Sequence, residues 1–303
     1  MVKGLLLFFA VLLITPAASK AVWWVENDYA LGSKSFQYES LSAFARLSPA
    51  LMSGANASFY KDHDHDLKKA YVFRAPLMYS ASRLALSLQP FVYPASSGTG
   101  SSARGAKFLF MFPLSEAQDE NYLHVTLSGA AARQKTPLLA PSGAPGSETF
   151  SETAFEAQVE KSFYNQFFFQ ASAAGFAKTG TSRNSNPTLK PGPDGINPVM
   201  DHGELAHTGT FRKVTALPKW AAAVQFARNM APDYDSYIYA GFSRIAFRNT
   251  SDANSILGGL KLKLTDRSTL DLAYNFYKIN GRTGENYYKL LIQVFFPGRE
   301  TAR

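Results

Sequence analysis

No cysteine occurs among the 303 residues, which excludes disulfides, thiolate metal sites and cysteine nucleophiles. Beyond residue 21, no stretch approaches the ~18 unbroken apolar residues that a membrane-spanning helix needs. P-loops, dinucleotide fingerprints and zinc-protease motifs are missing as well. No internal repeat stands out beyond the periodicity of hairpins. The mean hydropathy of −0.14 is far from that of a helical membrane protein.

What is abundant is aromatic: 24 Phe and 15 Tyr, residues that suit strands and membrane interfaces. The last hairpins, Ser255 to Phe296, organise the reading. Leu260, Leu262 and Leu264 alternate with Lys261 and Lys263. Leu270, Leu272, Tyr274 and Phe276 alternate with Asp271, Ala273 and Asn275. Tyr288, Leu290, Ile292, Val294 and Phe296 share one face, with Lys289 and Gln293 on the other. A side-chain period of two marks a strand between two different environments. Each run matches the roughly 9–11 residues of a tilted strand that crosses a bilayer, and aromatics gather near the run ends as in interfacial girdles. The fold class expected is all-β, an antiparallel transmembrane β-barrel.

The N-terminus agrees. A short positive segment ending at Lys3 precedes an apolar run from Gly4 to Ile14, and Ser19-Lys-Ala21 offers a small-x-small cleavage site. Residues 1–21 are expected to be a secretory signal peptide, too short to span as a permanent helix, and residues 22–303 the barrel. Losing Lys3 and Lys20 takes the net charge from +8 to +6, with 29 basic residues against 23 acidic. An exported chain made of amphipathic strands belongs in a Gram-negative-type outer membrane. Its expected partners are outer-membrane lipid, the outer-membrane assembly machinery and small solutes; oligomeric state is not legible.

Elsewhere, strands are expected near 36–46, 50–61, 69–79, 83–93, 106–114, 122–130, 155–163 and 166–176, and around Tyr237 to Phe247. Segments 95–105, 137–147 and 179–208 read as loops, rich in Gly, Pro, Ser or Asn. Lys219 to Asn229 fits a strand by Trp220, Ala222, Val224 and Phe226, and a short helix by its three consecutive alanines. The count runs from 12 to 15, according to whether 22–31, 209–217 and 220–229 are strands. Both termini on one side of the membrane require an even number, giving about 14 strands with 12 as the alternative.

By alternation Arg74, Arg83, Lys107, Arg244, Lys261, Lys263 and Lys289 point into the lumen, against Glu156, Glu160 and Asp271. A ring of one charge sign sets ion preference. The function expected is an outer-membrane pore or transporter for small, anionic solutes. The alternatives are an outer-membrane lipid hydrolase and a closed structural barrel; discrete ion current separates these classes. No catalytic residue is assigned, because no Ser or acid stands at a diagnostic spacing from His124, the one histidine expected on a strand. The Asp62 to Asp66 run, with His63, Asp64 and His65, is the one metal-like cluster; a hydrated polar turn is the preferred reading of it, and no metal or cofactor is expected. Positive charge is spread over strands, so nucleic acid is not an expected partner.

Taken whole, residues 22–303 resemble Gram-negative outer-membrane β-barrels of the porin and small-solute transporter type, most of all over the last ~45 residues. That resemblance implies the barrel, its location and a solute path, but assigns no site residues. Such barrels usually end on a terminal Phe, whereas here Pro297 to Arg303 follow Phe296. Separately, Glu26-Asn-Asp-Tyr29 resembles the start of the outer-membrane lipid A 3-O-deacylase family over four residues. The Tyr-Thr-Asn-Gly segment that follows in that family is replaced here by Ser35-Phe-Gln-Tyr38.

Overall fold

The structure, a computed structural model, describes residues 22–62, 67–81, 83–95, 102–115, 120–139, 145–179, 218–230, 235–248 and 250–296. The expected signal peptide, the His63–His65 cluster, the 179–208 loop beyond Thr179, the 209–217 segment and the tail after Phe296 lie outside these residues. The strands are β1 (Trp23–Gly32), β2 (Phe36–Arg46), β3 (Leu51–Asp62), β4 (Leu67–Arg74), β5 (Leu77–Ala81), β6 (Leu84–Tyr93) and β7 (Ser102–Pro113), then β8 (Leu123–Leu139), β9 (Pro145–Phe163), β10 (Phe167–Thr179), β11 (Pro218–Asn229), β12 (Tyr237–Phe247), β13 (Ala253–Thr265), β14 (Ser268–Ile279) and β15 (Glu285–Phe296). One 3-10 turn, Ser33–Ser35, joins β1 to β2.

Every neighbouring pair is antiparallel, and β1 pairs with β15 from Trp23↔Phe296 to Gly32↔Tyr287, so the sheet closes on itself. Closure removes the exposed edges that lipid cannot satisfy. The strands β4 and β5 both pair with β3 and with β6; they are two halves of one stave, so fifteen segments make a fourteen-stave barrel. The break falls at Ala75–Pro76, where proline has no N–H to give the ladder. The ladder is mended around it: Gly54 N donates to Pro76 O (2.9 Å) and Ala75 N to Pro90 O (3.1 Å). The expected count of about 14 holds.

Side-chain alternation sorts the wall into two faces. Outward positions carry Leu88, Phe108, Phe155, Phe226, Phe242 and Ile256, each about half exposed. An apolar surface of this extent does not face water; it is the belt that meets hydrocarbon. At the end holding both termini, the rings of Trp23 and Phe296 stack at 3.9 Å, an interfacial anchor in the form expected of a girdle. With an apolar exterior and no open edge, the barrel is built to sit in a membrane.

One stretch resolves an alternative the sequence left open, and a second differs from expectation. Lys219 to Asn229 is strand throughout, paired with both β10 and β12. Its alanines divide between the faces, Ala221 buried inside and Ala222 outside; two ladders of cross-strand hydrogen bonds outweigh alanine's helix preference. The Pro137–Ser147 segment, read as a loop, continues the ladder as far as Leu139↔Pro145. Its low hydrophobicity hid strands that run past the apolar belt.

Candidate functional site

The inward face is the candidate site, and cross-strand register arranges it in rows. One row runs Lys263, Thr269, Gln293, Glu26, Ser42, Asn56 across β13, β14, β15, β1, β2 and β3. Thr269 donates to Gln293 (2.9 Å), and Gln293 Nε2 (2.7 Å) and Trp24 Nε1 (3.0 Å) both donate to Glu26 Oε1. The next row runs Tyr237, Lys261, Asp271, Leu291, Asp28, Ser40, Ser58. There Lys261 lies beside Asp271 with its Nζ 5.7 Å from the Tyr237 ring centre. The third row holds Tyr239, Gly259, Ala273, Lys289, Ala30 and Tyr38. Tyr239 donates to Asp271 (2.7 Å) from that row, and its ring lies where a Cβ on Gly259 would be, so the glycine creates the space for the contact. Lys289 Nζ reaches Asp28 Oδ2 at 3.4 Å.

Charges in this strip therefore alternate in sign and neutralise one another. Lys263 adds a contact to Asp235 at 2.7 Å, where β12 begins. The other oxygen of Asp28, Oδ1, has no hydrogen-bond partner. Around the wall, Arg74 donates to Asn56 Oδ1 (2.8 Å) and Ser58 Oγ (3.0 Å), and Asn56 in turn donates to Ser40 (2.6 Å) and Ser42 (2.7 Å). Nearer the opposite rim the interior is packed with aromatics: Phe36 meets Tyr287 edge-on at 5.3 Å, and Tyr38 meets Tyr60 at 4.8 Å. Tyr60 and Tyr93 are fully buried.

No protein-family model matches the chain, and no curated protein does either. Solved structures do match. CdiB from Acinetobacter baumannii aligns with 91% of this chain at 12% identity and a TM-score of 0.50, the chain spanning 60% of that protein. The NanC porin aligns with 89% at 10% identity (TM-score 0.44, 98% of its own length), and the P. putida toluene transporter TodX with 96% at 10% identity (TM-score 0.49, 94% of its length). The fold is that of an outer-membrane β-barrel. At these identities the likeness extends to the fold and no further.

The expected lumen residues can now be placed in this barrel. Arg74, Lys107, Lys261, Lys263 and Lys289 stand on the inward face. Arg83 does not: it is exposed in the turn between β5 and β6, beyond the closing pair Ala81↔Leu84, where alternation no longer orients a side chain. Arg244 is placed outward, in the file with Phe242, and pairs with Asp252 at 2.8 Å near the rim. An inward Arg244 implies Tyr237, Tyr239 and Ile245 on the lipid face, the opposite of their place here. The signal against that lies in the same set, which also carries Gly241 and Ser243, while Ile238, Ala240 and Phe242 form the apolar file.

Four carboxylates missed by sequence reasoning, Glu26, Asp28, Glu152 and Glu285, enter the lumen beside the three expected there. Among the described residues the inward face carries Glu26, Asp28, Glu152, Glu156, Glu160, Asp271 and Glu285 against the five cations. Glu156 accepts from Ser128 (3.2 Å). Glu160 accepts from Tyr122 (2.7 Å), whose ring stacks on His124 at 4.4 Å. Tyr122 and Glu160 border a cavity of about 200 Å³ with Phe168, Gln170, Gln225 and Tyr237. Tyr122, just outside β8, has its hydroxyl pKa raised by burial and then by the Glu160 carboxylate. The four residues that resemble the deacylase start divide between faces, Glu26 and Asp28 inward and Asn27 and Tyr29 outward. Among the described residues no group of His, Asp and Glu is arranged to hold a metal.

Proposed function

We propose that this barrel passes small polar solutes through a narrow lumen whose charges are paired. The observation that carries this reading is the contrast between the faces: paired Lys and Asp in consecutive inward rows, behind a wall apolar outside. Side chains of that kind inside a membrane mark an aqueous path.

The anion preference expected from the sequence loses its basis. Of seven basic residues assigned to the lumen, Arg83 and Arg244 lie elsewhere, and Glu26, Asp28, Glu152 and Glu285 join the acids. Lys263 and Lys289 are already matched by Asp235 and Asp28 at 2.7 and 3.4 Å. A strip of alternating sign suits solutes that carry both charges, or none and many hydroxyls, since either end finds a partner.

Planar-bilayer recording on the purified barrel tests this. Small, discrete conductance steps are expected, with a reversal potential near zero in a salt gradient at low ionic strength. Strong anion selectivity would contradict the paired lumen. Absence of current would favour a closed structural barrel, the reading supported by the buried tier of Phe36, Tyr60, Tyr93 and Tyr287.

A further inference from the structure

The outer surface of the barrel carries a cluster of positive charge with no acidic counterpart among the described residues. Arg104 on β7 and Arg133 on β8 are direct cross-strand partners. Lys135, the next outward position on β8, pairs with Ser102. All three basic side chains are exposed. Their orientation is fixed by neighbours: Ala103, Ala132 and Gln134, one step away on each strand, are buried inside. Like charges placed directly opposite on a sheet are destabilising, so the arrangement lacks a reason within the fold.

Among the described residues its outward neighbours supply no acid. The flanking outward positions are Val92 on β6 and Thr149, Ser151 and Thr153 on β9. Neither of the two connections that emerge beside the cluster, residues 94–101 and 140–144, contains Asp or Glu. Arg244 at the same rim provides the contrast, because Asp252 neutralises it at 2.8 Å.

The position along the wall names the ligand chemistry. Two outward positions below Arg104 and Arg133 the apolar belt begins, with Phe108 and Phe155 each 54% exposed. Strands rise about 3.3 Å per residue and tilt by roughly 35–45° in such barrels, which puts the cluster about 10 Å above those rings, at headgroup level. This rim is opposite the one holding both strand termini, so it faces the outer leaflet where those termini are periplasmic. Guanidinium groups present paired N–H donors that match phosphate oxygens, and Ser102, Thr149 and Ser151 add hydroxyls. We propose that Arg104, Arg133 and Lys135 form a docking site for phosphate-bearing lipid headgroups of the outer leaflet. The proposal does not depend on whether the lumen conducts.

The test uses the full barrel in neutral detergent, with phosphatidic acid as the phosphomonoester lipid and native mass spectrometry counting lipids retained. Each basic group near an anionic lipid contributes about fivefold in affinity, so R104Q/R133Q/K135Q is expected to lose roughly 100-fold. The single variant Arg133→Gln, expected to lose about fivefold, decides the matter if the triple variant does not fold. Arg244→Gln is expected to bind as the unmodified barrel does. Unchanged affinity in both the triple and single variants would overturn the site. Equal loss in Arg244→Gln would reduce it to unspecific surface charge. Competition by inorganic phosphate at the same concentration as the lipid would overturn the lipid as ligand.

Discussion

Replacing Lys289 by Met isolates the central feature of the lumen, a cation and a carboxylate sharing one strip of wall. Lys289 Nζ lies 3.4 Å from Asp28 Oδ2, and each side chain is only 17% exposed. At about 4 Å and an effective dielectric of about 20, such a pair attracts by roughly 4 kcal/mol. Removing one partner of a buried pair typically costs about 3–5 kcal/mol, because the remaining charge stays desolvated. Water in the lumen reduces this, so ~2–3 kcal/mol is the expected loss. Asp28 would also be left with Asp271 in its own row and Glu26 in the adjoining one. Asp28→Asn in the Lys289→Met background should recover most of it, a coupling of about 2 kcal/mol in the double-mutant cycle. Urea unfolding in vesicles, followed by the fluorescence of Trp23, Trp24 and Trp220, measures both. A Lys289 that faced lipid would give the opposite sign, since its removal from near the midplane would stabilise by roughly 2–4 kcal/mol. Stabilisation, or a change within about 0.5 kcal/mol and no coupling, would refute the paired lumen.

Gly259→Ala should cost about 1–2 kcal/mol, since its Cβ collides with the Tyr239 ring and breaks the bond to Asp271. Gly258→Ala, facing outward with no neighbour nearer than 3.9 Å, should be close to neutral in the same unfolding assay. Tyr122 has a pKa above its ordinary value of 10.0. Its share of stability is therefore constant below about pH 10 and falls as pH rises beyond that, where the unfolded tyrosine ionises and the folded one keeps its proton. In Tyr122→Phe, unfolding free energy should fall less steeply across pH 10–12 than in the unmodified barrel; an identical slope would remove Tyr122 from that role.

The barrel was legible because its last hairpins obey period two with charge confined to one side. Lys261, Asp271 and Lys289 fall among small or polar inward neighbours, so parity and face were both readable. In β12 parity was readable but the face was not. Tyr and Ile occur on the inward side there, because the lumen is packed with aromatics, and Arg244 occurs on the outward side, because it lies near the rim beside Asp252. A one-residue alternation carries no sign of its own. Prolines misled in both directions: Pro76 breaks a stave yet leaves the barrel count intact, while Pro137 and Pro145 sit in paired strands. The carboxylates at Glu26 and Asp28 were visible as residues, but their place beside Gln293 and Lys289 depends on the closure of β1 on β15, a contact across more than 250 positions.

The chain has no cysteine of its own, so single introduced thiols report the two faces of β12 and β13 without background. The measurement is labelling by a membrane-impermeant maleimide of Tyr237→Cys, Lys261→Cys and Lys263→Cys against Phe242→Cys, Ile256→Cys and Leu262→Cys, each in reconstituted vesicles. Labelling of the first three, blocked by a solute that fills the lumen, with protection of the second three, is the outcome this lumen predicts. Labelling of Phe242→Cys and Ile256→Cys with protection of Lys261→Cys and Lys263→Cys would mean that the two faces of the wall are exchanged.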